Sequence, residues 1–231
     1  MDLNSAAMIL LRWLHFVAAI TWIGLLYFFN LVNVPWQKAL DGATKGKVVA
    51  TLMPRALWWF RWGATITVVA GILLLAAMMN EATSARAFFE TGQGRIIAVG
   101  GLLGLVMWFN VWFIIWPNQR RIIAAMENTA KTGAAAPTDQ PKWARQAFLA
   151  SRTNFVLSMP MLAMMASSSH LGVFRDALYV GLATTVVALV WVWYLGQPKK
   201  TTTPPPAAAP TTPTPSGGPA NPPTMGTNPP H

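Results

Sequence analysis

The residue best placed to do chemistry is an imidazole inside a long apolar run. The run reads Arg12-Trp13-Leu14-His15-Phe16-Val17-Ala18-Ala19-Ile20-Thr21-Trp22-Ile23-Gly24. In a helix His15, Ala18, Ala19 and Trp22 recur at one-turn and two-turn spacings and share a face. The two alanines leave a shallow gap beside the imidazole. A flat ring such as haem would fit it, with His15 on the iron and Arg12, one turn nearer the N-terminus, on a propionate. A histidine that hydrogen-bonds a neighbouring helix, with small residues serving close contact, explains the same pattern equally well. Both readings stay open at this point.

A second iron ligand has several candidates. His170 ends a later apolar run, on the same side as His15 by the charge pattern below. His15 is expected about 12 Å below that boundary at 1.5 Å per residue, so the two levels match only if a helix tilts. Met161, Met164 and Met165 lie deeper on the same helix, and a thioether can ligate haem iron. Ordinary packing is the commoner use of any one methionine. His231 ends the chain in a polar, Pro-rich stretch and is expected to do nothing. Cysteine is absent, which excludes disulfides, thiolate metal sites and covalent c-type haem attachment. No paired intramembrane carboxylates, phosphate loop, Ser-His-Asp arrangement or nucleic-acid motif is present.

The elements that must position these residues follow from composition. The chain has 231 residues, 54% hydrophobic and only 10% charged, against roughly 25% charged in a soluble domain. Apolar runs near 7–32, 56–79, 95–117, 149–169 and 176–196 are each about 20 residues, enough to cross roughly 30 Å of hydrocarbon. Backbone groups cannot go unpaired in lipid, so each is expected to be a helix. The fold class is therefore all-α, an integral membrane bundle of about five transmembrane helices over residues 1–197. A Pro/Thr/Ala-rich stretch over 198–231 is expected to be a disordered tail. The first run lacks a basic start and a clear cleavage site, and is expected to be retained as a helix.

Charge orients the spans. Loop 33–55 holds Lys38, Lys45, Lys47 and Arg55 against Asp41, and loop 117–147 holds Arg120, Arg121, Lys131, Lys142 and Arg145 against Glu127 and Asp139. The loops between them balance: Arg86 and Arg95 against Glu81 and Glu90, Arg175 against Asp176. Basic and neutral loops alternate, which predicts the N-terminus outside and the tail in the cytoplasm. The formal charge of +10 thus belongs to topology and not to nucleic acid. Arg12, Arg61 and Arg152 lie near span ends, where snorkelling to headgroups is expected. Ile122, Ile123 and Met126 share a face, as in a stretch resting on the membrane surface. Asn110 and Asn154 are expected to hydrogen-bond between helices, and Pro160 to kink the fourth span.

The chain resembles the membrane domain of the bacterial membrane-bound urate oxidases (urate hydroxylases). The likeness is carried by Arg12-Trp-Leu-His15 with Trp22-Ile-Gly24, by Trp59-Phe-Arg-Trp62 running into Gly71, and by Gly94-Arg95 through Asn110-Val-Trp-Phe-Ile-Ile-Trp-Pro117-Asn118-Gln119-Arg120. A fourth stretch runs from Asn154 to Pro160 and on to His170. Together they cover most of residues 8–172. The chain departs from the family in having fewer spans between the second and third matching helices, in Ala98 where the family has a histidine, and in stopping before a c-type cytochrome domain. These departures put activity on urate in doubt. The first helix, over about residues 11–36, also resembles the membrane protoporphyrinogen oxidases, whose corresponding histidine holds haem b.

The resemblance implies an inner-membrane redox protein with a b-type haem near its outer face, passing electrons between a reductant or quinol and a partner such as a cytochrome c. Arg12, His15, Trp22 and His170 are the candidate cofactor-binding residues, with His15 and His170 on the iron and Met161 or Met165 as the alternative second ligand. The other expectation is a non-catalytic subunit of a larger respiratory or photosynthetic membrane complex.

Overall fold

The structure is a computed structural model that describes residues 3–171 and 173–197. The tail expected over 198–231, and His231 with it, lies outside the described residues. Among the described residues every regular element is helical: α1 (Leu3–Tyr27), α2 (Val34–Lys38), α3 (Gly42–Thr51), α4 (Met53–Glu81), α5 (Ala85–Glu90), α6 (Gly92–Phe109), α7 (Trp116–Thr132), α8 (Gln140–Ser167) and α9 (Phe174–Gly196).

Two stretches of π-helix, Phe28–Asn33 and Asn110–Ile115, join α1 to α2 and α6 to α7 without a break in the rod. Both stand just before a proline, Pro35 and Pro117, in the first turn of the next helix. A proline lacks the amide donor, and its ring collides with the carbonyl four residues back. A wider turn relieves this clash, and the register lengthens accordingly: Val34 N–H reaches Phe29 O and Trp116 N–H reaches Val111 O, each five residues back.

Four helical rods are long and apolar enough to cross a membrane: Ser5–Lys38, Met53–Glu81, Gly92–Thr132 and Phe174–Gly196. Their outer faces carry exposed Leu10, Phe16 and Ile20, then Val69 and Ile72, then Val187 and Trp193. Apolar surface of that extent on each rod fits contact with lipid rather than water. The protein is thus a helical membrane protein.

The fourth expected span, 149–169, falls on the second part of α8, which ends at Ser167. At 28 residues α8 is long enough, but Ser151, Arg152, Thr153, Asn154 and Ser158 make its middle more polar than the other rods. Its position explains the difference. α8 packs against α1, α6, α7 and α9, and Asn154, Phe155 and Ser158 are fully buried. Polar side chains on the central helix meet protein and not hydrocarbon. Asn110 Nδ2 donates to Asn154 Oδ1 at 2.8 Å, and Asn154 Nδ2 donates to Met107 O at 2.9 Å. Nearby, Asn30 Nδ2 donates to Ser151 Oγ and to Leu26 O, both at 2.9 Å. α8 runs on through Pro160 without ending.

The main core joins Trp22, Leu26 and Phe29 to Leu57 and Phe60 of α4 and to Met107, Val111 and Ile115. It continues into α3 and α7 through Val49 and Ile123, with Met126 packed on it. The apolar face of α7, expected on the membrane surface, is therefore covered by protein: α7 packs on α3 and α8. At the opposite end Thr91 caps α6 by accepting from Gly94 N–H at 2.9 Å. Gly94 is required there, because a Cβ would collide with the Phe88 carbonyl.

Candidate functional site

α1 and α4 pack along their lengths through a seam of small residues on α4. Gly63, Thr67 and Gly71 recur every four residues and so face α1 together. A Cβ on Gly63 would lie 3.3 Å from Trp22 N and 3.4 Å from Ala18 O; one on Gly71 would lie 3.0 Å from His15 Cε1 and 3.2 Å from His15 Nδ1. Missing side chains thus let the backbones approach, and at Gly71 they make room for an imidazole.

His15 is half-buried, and its Nδ1 lies 2.9 Å from the main-chain carbonyl oxygen of Thr67. A carbonyl can only accept, so Nδ1 is the donor, and in the neutral ring Nε2 keeps its lone pair. Thr67 is itself held, its hydroxyl donating to Gly63 O at 2.8 Å. No hydrogen-bond partner meets Nε2 among the described residues. An imidazole anchored at Nδ1 by a carbonyl, with Nε2 open, is the arrangement that metal-ligating histidines adopt. An imidazole so held would suit a haem iron as a nitrogen donor.

The rest of the expected face is used differently. Ala18 is 5% exposed, and its carbonyl meets Gly63, so α4 occupies the gap that the alanines leave. Trp22 is 1% exposed in the main core, and its Nε1 is buried with no partner among the described residues. Arg12 is exposed and makes no ion pair among the described residues.

His170 stands beyond the end of α8, exposed, with its Nδ1 at 3.0 Å from Ala166 O of its own helix. His15 sits against Gly71, ten residues or roughly 15 Å inside the end of α4. No described contact joins the two histidines. The methionines face other helices. Met164 Cβ and Met165 Cε would lie 3.0 Å and 2.7 Å from a Cβ on Gly100 of α6, and Met164 Cε 2.6 Å from one on Gly181 of α9. Met161 is buried in the main core. Among the described residues no group of three or more His, Asp or Glu could hold a metal ion.

Sequence reasoning did not find Thr67, because its contribution is a main-chain carbonyl and any residue type supplies one. The small-residue spacing Gly63, Thr67, Gly71 was the available signal for the seam.

The fold and this site define a helical membrane protein with one anchored histidine within its bundle. The family model described as "Urate oxidase N-terminal" matches residues 81–208, more than half of the chain, and the chain belongs to that family. The match takes in α5 to α9, with the Pro117-Asn118-Gln119 stretch and His170, and begins at the last residue of α4, Glu81, beyond the residues of α1 and α4 that form the His15 site. No curated protein and no solved structure matches the chain.

Proposed function

We propose that the protein is a multi-pass redox protein of a bacterial inner membrane that holds one b-type haem through His15 Nε2. The observation that supports this is the Nδ1–Thr67 carbonyl hydrogen bond over Gly71, which orients the ring and leaves Nε2 free. Bound there, haem supplies one-electron transfer. The chain's own part is to orient the imidazole through Thr67 O and to offer Arg12, exposed one turn away and without an ion pair among the described residues, to a propionate. His15 is the residue that would hold the iron. For a second ligand, His170 rests on the resemblance, and Met161 or Met165 on thioether chemistry and place on α8. The charge pattern supports an N-terminus outside and a C-terminus in the cytoplasm; the cytochrome c proposed as electron partner rests on the resemblance alone.

A reduced-minus-oxidised absorption spectrum of the protein in mild detergent tests the reading. A b-type band lost in His15→Ala, with the variant still in the membrane, is the expected result. A flat spectrum from the wild-type chain would sink it.

A second reading, a non-catalytic subunit of a respiratory or photosynthetic complex, draws on α9. Val187, Val190, Trp193 and Tyr194 form an exposed apolar face on the outside of α9, which a neighbouring helix could cover. Co-purification of a partner with a colourless protein would favour it.

A further inference from the structure

A cleft of about 600 Å³ lies between the rod of α6 and α7 and the first half of α8, lined by Asn110, Phe113, Asn118, Arg121, Gln146 and Leu149 among others. It is remote from the His15 seam in kind and in partners: neither α1 nor α4 lines it. Along the rod, Asn110, Phe113, Asn118 and Arg121 fall on one face, and Gln146 and Leu149 match on the antiparallel α8. About 20 residues of helix cross the hydrocarbon, so a span that starts near Arg95 ends near residue 115. Phe113 and Leu149, 59% and 51% exposed, then lie at acyl-chain level. Asn118, Arg121 and Gln146 lie at headgroup level, beside Trp116 and Trp143, whose rings favour that interface.

Two polar groups at the headgroup end lack partners. Asn118 is 6% exposed; its Nδ2 donates to Ile114 O at 2.8 Å, while its Oδ1 is buried and accepts nothing among the described residues. Arg121 is exposed and has no carboxylate partner among the described residues, its nearest recorded contact being the Trp143 ring at 5.8 Å. A buried acceptor without a donor is costly, and a cation at the rim of a cleft between spans suits an anionic headgroup. The ligand must therefore combine a phosphate for Arg121, a hydroxyl or N–H donor for Asn118, and an apolar chain for Phe113 and Leu149.

We propose that this cleft binds one phospholipid with an anionic, hydroxyl-bearing headgroup of the phosphatidylglycerol kind. The phosphate oxygens accept from Arg121, a glycerol hydroxyl donates to Asn118 Oδ1, and one acyl chain lies between Phe113 and Leu149. Phosphatidylcholine carries the phosphate but has no donor and no net charge, so it is the discriminating competitor.

Native mass spectrometry of the full chain in mild detergent, titrated with dioleoyl phosphatidylglycerol, dioleoyl phosphatidylcholine or glycerol phosphate, tests this. Phosphatidylglycerol should bind more tightly than phosphatidylcholine, and Arg121→Gln should weaken it roughly fivefold, the value of one basic residue near a headgroup surface. Arg120→Gln, which removes the same charge beside the cleft but not within it, should leave binding unchanged. Leu149→Trp, at an exposed position that the fold tolerates, should weaken lipid binding by filling the chain path. Equal binding of the two lipids, an equal loss in both arginine variants, or full competition by glycerol phosphate would each overturn the assignment, the last by pointing to a soluble phosphate.

Discussion

His15 is seated on Gly71: a Cβ at that glycine would stand 3.0 Å from the imidazole Cε1, and the ring reaches Thr67 O only because the space is empty. Replacing Gly by Ala inside a helix ordinarily stabilises it by about 0.5–1 kcal/mol. Gly71→Ala should therefore leave the melting temperature unchanged or slightly raised while tilting the ring and straining its hydrogen bond. A shifted band and midpoint potential, measured with unchanged thermal stability, is the expected outcome. An unaltered spectrum would show that the ring does not depend on that space.

His15→Ala should remove the absorption band altogether with the protein still membrane-inserted. The ring is half-buried and outside the main core, so its loss costs little packing. Membrane fractionation beside the spectrum separates a lost ligand from a lost fold.

Asn154 links α8 to the π-helical turn after α6 through hydrogen bonds of 2.8 Å and 2.9 Å. Asn154→Leu leaves Asn110 Nδ2 without its acceptor and removes a donor from Met107 O. A loss of about 1–2 kcal/mol is expected from the value of interhelical hydrogen bonds in membranes, read by unfolding in mixed detergents. A cost near zero would mean that the two asparagines re-pair elsewhere.

Arg61 has its guanidinium carbon 3.9 Å from the Trp116 ring centre and 5.2 Å from that of Trp112. This cation lies against aromatic faces, and no carboxylate pairs with it among the described residues. Trp116→Leu should cost about 0.5–2 kcal/mol, and Arg61→Lys should recover less than full stability, because an ammonium lacks the planar stacking surface. Thermal melts of the two variants check this.

Asp41 caps α3 by accepting from Ala43 N–H and Thr44 N–H, both at 3.0 Å. Hydrogen bonds from Thr44, then Ala43, hold its carboxyl below the usual carboxylate range. A depressed folded value means that the contribution is whole above the ordinary range and is lost as pH falls through the depressed value. Protection of the α3 amides from hydrogen exchange should fall on acidification in the wild type. In Asp41→Asn it should stay level, since an amide accepts the same bonds without titrating.

The membrane class and the helical fold were legible from residue types alone, because lipid forbids unpaired backbone and the apolar runs have spanning length. The same holds for interhelical hydrogen bonding by Asn110 and Asn154, since amides in apolar surroundings must find partners; that they bond to each other was decided by packing. Periodicity also grouped His15, Ala18 and Trp22 on one face. What covers that face was decided by the tertiary structure. Ala18 was read as leaving room for a ring, and α4 fills that room through Gly63. The residues near 149–169 were read as a span like the others, and α8 became the central helix because its polar middle is satisfied only by protein on several sides. Ile122, Ile123 and Met126 were read as the face of a stretch resting on the membrane surface, and Ile123 and Met126 pack instead into the core to which α3 contributes Val49. The carbonyl that orients His15 carries no side-chain signature, so only the packing of α1 on α4 could bring it within 2.9 Å. Sequence states which residues share a face; the identity of the opposing surface is a property of the assembled bundle.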